Sequence, residues 1–152
     1  MRILLDTHAF LYFTSGGEGL SSVARAAIEN PTHQRFLSIA SLWEIAIKVS
    51  IQKLEVGMTM SELVTREVRG NAIEVLHIQP QHLDYLSSLP FHHKDPFDRL
   101  IIAQSFSEDI PLITKDSAFG AYGVKTIWGL WNRVCKLMIK DANRSGSVTR
   151  NY

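Results

Sequence analysis

The sequence holds a single cysteine, Cys135, so no internal disulfide can form. It has no apolar run approaching the roughly 20 residues that a membrane-spanning helix needs. Its first residues, Met1-Arg2-Ile3-Leu4-Leu5-Asp6, lack the long apolar stretch and small-residue cleavage site of a signal peptide. The expectation from these absences is a cytoplasmic protein with no membrane partner. Net charge is also scarce, at +1. That falls short of the basic bias common among nucleic-acid binders, although acids gathered in a site and bases spread around it give the same total. What is present is globular: 152 residues, 45% hydrophobic and 20% charged, suit one domain with a sizeable core. A disordered chain would carry fewer apolar residues and more net charge.

Short apolar runs at residues 3–5, 35–38, 74–77, 111–114 and 125–127 read as buried strands. Helical patterns lie between them, at 22–29, 41–52, 59–69, 81–87 and 96–106. In the second, Leu42, Ile45, Ala46 and Val49 share one stripe. Strands alternating with helices predict an α/β fold: a three-layer α/β/α sandwich around a mostly parallel sheet of about five strands. Residues 1–128 form the expected domain and 129–152 an extension. That extension reads as an amphipathic helix to about residue 139, then a polar frayed end, DANRSGSVTRNY.

Open parallel sheets bind ligands beyond the carboxyl ends of their strands, and acids collect at that edge. Asp6 follows the first strand. Glu44 falls in the first turn of the predicted helix after the second strand. Asp95 and Asp98 open the helix before the fourth, and Asp116 lies two residues past that strand. Each acid also has a local explanation. Ser41-Leu42-Trp43-Glu44 fits a capping box with Ser at N-cap and Glu at N3. Asp95-Pro96 fits an N-cap followed by Pro at N1, with Asp98 favouring the helix dipole. Asp6 and Asp116 can cap helices beginning at Thr7 and Ser117. Brought to one edge, however, carboxylates repel. At ~4 Å and an effective dielectric near 20, each pair costs about 4 kcal/mol. Protonation relieves this, and a divalent cation relieves it better. Oxygen ligands favour Mg²⁺ or Mn²⁺ over zinc, and such a cation can activate water and steady a leaving oxygen.

Four blocks together carry a family resemblance: Leu4-Leu5-Asp6-Thr7-His8, Trp43-Glu44-Ile45, Asp95-Pro96-Phe97-Asp98-Arg99-Leu100-Ile101-Ile102-Ala103-Gln104, and Thr114-Lys115-Asp116. Over about residues 1–128 the chain resembles the PIN-domain family, and within it the VapC-type toxins of VapBC toxin–antitoxin pairs. The third block is the most specific. The resemblance aligns Asp6, Glu44, Asp98 and Asp116 with the family's four acidic positions, and Asp95 with an extra acid of one branch. It implies Mg²⁺- or Mn²⁺-dependent cleavage of RNA, a homodimer and inhibition by a partner antitoxin. Residues 22–29 and 59–69 are the expected dimer surfaces.

Around the acids, Thr7 and Thr114 are candidates for hydrogen bonds to a carboxylate or phosphate, against the alternative of a local turn bond. Arg99, Lys94 and Lys115 are candidate substrate contacts, Arg99 also suiting a structural ion pair. Lys48 lies one turn beyond Glu44, an i,i+4 pair. His8, His92 and His93 lack Cys or His partners at zinc-finger spacing. Trp43, Phe97 and Ile102 read as core. Three other readings share parts of this pattern. A phosphoaspartate receiver needs paired acids after the first strand, where Thr7-His8 stands instead. A dehalogenase-like phosphatase needs Asp-x-Asp there, and His8 occupies the second position. A non-catalytic PIN binding module would not need the intact acid set.

Overall fold

A computed structural model describes residues 1–16 and 18–129; the helix expected to continue to about residue 139, and the polar end, lie outside the described residues. The strands are β1 (Arg2–Leu5), β2 (Gln34–Ser38), β3 (Ile73–Leu76), β4 (Leu112–Ile113) and β5 (Thr126–Ile127). They form one five-stranded sheet in the order β3-β2-β1-β4-β5, every pairing parallel. The helices are α1 (Thr7–Thr14), α2 (Ser22–Glu29), α3 (Ile39–Ser50), α4 (Met60–Glu62), α5 (Pro80–Ser88) and α6 (Pro96–Glu108). Short 3₁₀ segments cover Arg69–Asn71 and Ser117–Tyr122.

The sheet is covered on both faces, which explains why consecutive residues in its middle, Ile3-Leu4-Leu5, Phe36-Leu37 and Leu112-Ile113, are all apolar and buried rather than alternating in polarity. Successive residues point to opposite sides. Ile3, Leu5, Leu37, Ile73 and Ile113 join one core with Ala9 and Phe10 of α1, Ala24 and Ile28 of α2, and Leu42 and Ile45 of α3. Leu4, Phe36 and Leu112 join the other, with Ile101 and Ile102 of α6 and with Phe119. Fully burying each such aliphatic side chain contributes about 1.5–3 kcal/mol. The expected three-layer sandwich is the observed architecture.

Three local readings change. Helix α1 fell outside the amphipathic pattern because Thr7-His8-Ala9-Phe10-Leu11-Tyr12-Phe13-Thr14 is largely apolar on every side, leaving no stripe to detect. Helix α3 begins at Ile39, earlier than the predicted start at 41, because Ser38 ends β2 and itself caps the helix, its hydroxyl accepting from the Ala40 N–H at 3.0 Å. The segment predicted as one helix over 59–69 opens with a capping box between Thr59 and Glu62, then widens to a π-helix over Leu63–Val68. Its buried residues, Leu63 and Val68, are five apart. That spacing matches the i→i+5 ring of a π-turn.

Candidate metal and active site

The strand order reverses direction at β1, whose neighbours are β2 and β4. Such a switch point opens a crevice at the carboxyl ends of the strands, and the acids gather there. Asp6 leaves β1 with its backbone N–H donating to the Ile113 carbonyl (3.1 Å), which ties it to β4. One carboxylate oxygen caps α1, accepting from the Ala9 N–H at 2.6 Å. The side chain is 4% exposed. Burial pushes its carboxyl above the usual range, against the opposing effect of a hydrogen bond to Thr114. Beyond β4, Asp116 caps the 3₁₀ segment through Oδ1 (2.8 Å to the Ala118 N–H), while its own N–H donates to Thr114 Oγ1 at 3.1 Å.

Asp95 caps α6, with Oδ1 accepting from the Phe97 and Asp98 N–H groups at 2.8 and 3.1 Å, and Pro96 follows as expected. Asp98, in the first turn, is the most perturbed acid. Burial first, and then the charge of Asp95, raise its pKa to about 7; Glu44 and Asp6 add to the rise and His93 opposes it. The local explanations for Asp6, Asp95 and Asp116 therefore hold, and they do not compete with a site. A capping aspartate uses one oxygen and leaves the other to face the crevice.

Glu44 is different. The capping box expected from Ser41 and Glu44 does not form, because Ser38 is the N-cap and α3 starts at Ile39. Glu44 lies in the second turn, 6% exposed. It accepts from Thr7 Oγ1 at 2.6 Å through Oε2 and from Lys48 Nζ at 2.5 Å through Oε1. The i,i+4 pair with Lys48 is present. Ser41, freed of its expected role, is buried with no partner for its hydroxyl.

His93, set aside on zinc-finger spacing, stands within the cluster. Its Nε2 lies 3.3 Å from Asp98 Oδ2 and 3.3 Å from Asp116 Oδ2. Its backbone N–H donates to the Tyr122 hydroxyl at 2.7 Å, and its ring meets the Phe119 ring edge-on. Ligand atoms of His93, Asp98 and Asp116 all fall within 4.8 Å of one another. The signal for His93 was its position two residues before Asp95, on the loop leading into the most specific block. Spacing rules for Cys and His clusters pass over a histidine whose partners are carboxylates from two other elements.

The remaining candidates sort by contact. Thr7 bonds a carboxylate, and Thr114 bonds Asp6 and the Asp116 N–H. Arg99, expected at substrate, is 7% exposed and turned the other way. Its Nη1 donates to the Pro90 carbonyl (2.8 Å) and its Nη2 to those of Leu86 and Leu89 (3.4 and 3.2 Å), with the Phe91 ring 4.0 Å from the guanidinium carbon. Orphan carbonyls at the end of α5 draw it there. Lys94 and Lys115 are exposed on loops beside the acids. Ile102 is core as expected, but Trp43 is 58% exposed and meets Phe97 edge-on at 5.2 Å.

A divalent cation fits this set. Several carboxylates share a crevice, two have pKa values raised first by burial and then by neighbouring acids, and an imidazole nitrogen sits among them. No helix among the described residues is long and apolar enough to cross a membrane. No curated protein matches the sequence. Solved structures do. The VapBC2 complex of Rickettsia felis bound to a DNA fragment from its promoter is 14% identical with a TM-score of 0.63, covering 83% of this chain and 97% of that one. FitAB bound to an IR36 DNA fragment is 16% identical with a TM-score of 0.52, covering 87% and 99%. FitAcB from Neisseria gonorrhoeae is 15% identical with a TM-score of 0.50, covering 83% and 96%. At these identities the likeness is one of fold. The family model for the PIN domain matches residues 3–125, a span holding every acid described above, and the chain belongs to the PIN domain family.

Proposed function

We propose that the protein is a Mg²⁺- or Mn²⁺-dependent ribonuclease that hydrolyses RNA phosphodiester bonds, and that it is the VapC-type toxin of a type II toxin–antitoxin pair. The observation that carries this reading is the convergence of Asp6, Glu44, Asp98 and Asp116, from four separate segments, on the crevice at the switch point, with Asp98 raised to about 7. A fold gains nothing from that repulsion by itself. Asp98 and Asp116 are the acids best placed to hold the cation, with Asp6 and Glu44 adding negative charge around it; Asp95 contributes charge while capping α6. A bound divalent cation supplies a polarised phosphate oxygen and an activated water.

The chain's own residues do the rest. Thr7 and Lys48 fix the Glu44 carboxylate in one orientation. Thr114 orients Asp6 and the turn to Asp116. Lys94 and Lys115 line the approach as phosphate contacts, whereas Arg99 is committed to the α5 carbonyls and is withdrawn from that role. The toxin assignment leans on the likeness of fold to the VapBC2 and FitAB complexes. A cognate antitoxin is the partner this implies. For the homodimer expected from the family, exposed apolar side chains favour a face on α3 over the expected surfaces at 22–29 and 59–69. Among the described residues, none of the exposed large hydrophobic side chains lies on α2 or in the segment 59–71, but Trp43 and Ile47 on α3 and Ile51 at its C-cap form an exposed i, i+4, i+8 stripe. The testing experiment is cleavage of single-stranded RNA by the purified chain. Activity absent in EDTA and restored by Mg²⁺ or Mn²⁺ is expected, and full activity in EDTA contradicts the reading.

A further inference from the structure

We propose that His93 is itself a ligand of the bound cation, making the site a mixed nitrogen–oxygen one that prefers Mn²⁺ to Mg²⁺. The inference rests on the metal-dependent reading above and adds a residue and a selectivity to it.

The geometry is the first support. Nε2 of His93 is equidistant, at 3.3 Å, from Oδ2 of Asp98 and Oδ2 of Asp116. Ligands bonded at about 2.0–2.2 Å to one octahedral cation sit about 3 Å apart when adjacent. Nε2 is therefore spaced from each aspartate oxygen as neighbouring ligands are, and ligand atoms of all three residues fall within 4.8 Å of one another. The ring is also held for the task. Tyr122 anchors its backbone, Phe119 packs against its edge, and the side chain is 19% exposed. The oxygens of Asp98 and Asp116 that face it are not the ones used for capping: Asp116 caps through Oδ1, and the cap of α6 comes from Asp95.

Binding a cation through Nε2 needs the lone pair of that nitrogen, so a proton on Nε2 is exchanged for one on Nδ1, and the 3.3 Å contact that Nδ1 accepts from the Asp95 N–H is given up. Mg²⁺ dehydrates reluctantly and takes oxygen ligands, whereas first-row transition cations, of which Mn²⁺ is the weakest binder, accept an imidazole nitrogen more readily, which gives the selectivity.

The test uses the full chain at pH 8, with Mn²⁺ binding followed by electron paramagnetic resonance and its ligands read by pulsed methods that detect nitrogen coupled to the metal. Wild-type protein is expected to bind Mn²⁺ with a histidine nitrogen signature. His93→Gln is expected to lose the signature and bind Mn²⁺ at least about tenfold more weakly, with a smaller loss for Mg²⁺ measured by competition. Mn²⁺ bound without the signature, or a signature that survives in His93→Gln, overturns the ligand assignment and leaves the metal-dependent reading intact. Failure of the wild type to bind Mn²⁺ or Mg²⁺ at all overturns both. If His93→Gln does not fold, His8→Gln, His77→Gln and His92→Gln, at exposed positions, decide by elimination, since His33 is bonded to the Ala27 carbonyl and His82 to Glu108: a signature that survives all three supports His93, and one lost in any of them overturns it.

Discussion

Asp98 and Glu44 show how two acids in one crevice are managed differently. Glu44 is neutralised by a lysine one turn along its own helix and a threonine from α1. Asp98 is largely buried, has acids on several sides and only His93 in opposition, so its pKa rises to about 7. A carboxylate whose pKa is raised on folding makes stability fall with pH. Between its ordinary value of 3.8 and about 7 the unfolded chain has released the proton and the folded chain still holds it, so rising pH favours unfolding. In EDTA, Asp98→Asn is expected to flatten this decline and to be more stable than wild type at pH 8 by roughly 1–2 kcal/mol, measured by urea denaturation at pH 5 and pH 8. Equal stability of the two proteins at pH 8 contradicts the repulsion. Ser41 and Ser38 give a second contrast. Ser38→Ala removes the true cap of α3 and should cost about 1 kcal/mol. Ser41→Ala removes a buried hydroxyl without a partner and should be neutral or stabilising. Thermal melts that rank the two variants the other way place the cap at Ser41.

At the scale of elements, the strands and most helices were legible because apolar runs and stripes mark buried faces directly. Predicted and observed bounds differ by a residue or two. What escaped had no periodic trace. α1 was marked only by Asp6 as the cap of a helix starting at Thr7 and by no stripe along its length, the widening of α4 into a π-turn follows from packing, and the start of α3 depends on a strand running into a helix without a loop. Asp6, Asp95, Asp98 and Asp116 were legible because each sits at or near the start of a helix or the end of a strand, whereas Glu44, inside α3, was legible through the Trp43-Glu44-Ile45 block. His93 was not, because its partners Asp98 and Asp116 come from α6 and the turn after β4. Arg99 was misplaced for a related reason: a sequence shows the charge beside Asp98 but not which way the side chain turns. It joins the end of α5 to α6. Arg99→Ala leaves several carbonyls without a donor and exposes Phe91 further, and is expected to lower stability by about 2–4 kcal/mol while leaving Mn²⁺ affinity within about twofold. A large loss of metal affinity in a folded Arg99→Ala protein points to a direct role at the site.

At the scale of the whole molecule, the parallel sheet and its carboxyl edge were foreseeable, whereas the order β3-β2-β1-β4-β5 was not. Nothing in the local pattern states which strands are neighbours, yet that order sets Asp6 and Asp116 beside each other. The same scale governs assembly. A dimer built on the α3 stripe should show a light-scattering mass of twice 17.2 kDa, falling to the monomer value in Ile47→Glu. A monomeric wild type at micromolar concentration rules this out. The central claim is that the converging acids exist for chemistry and not for capping. Glu44 tests it most directly, because the structure removes it from any cap. The decisive measurement is the RNA cleavage rate of Glu44→Gln with saturating Mn²⁺, beside a urea melt confirming the fold. Loss of the Lys48 pair should cost about 1 kcal/mol or less. A folded protein whose cleavage rate has dropped by two or more orders of magnitude is the predicted result; a rate close to that of the wild type contradicts the account.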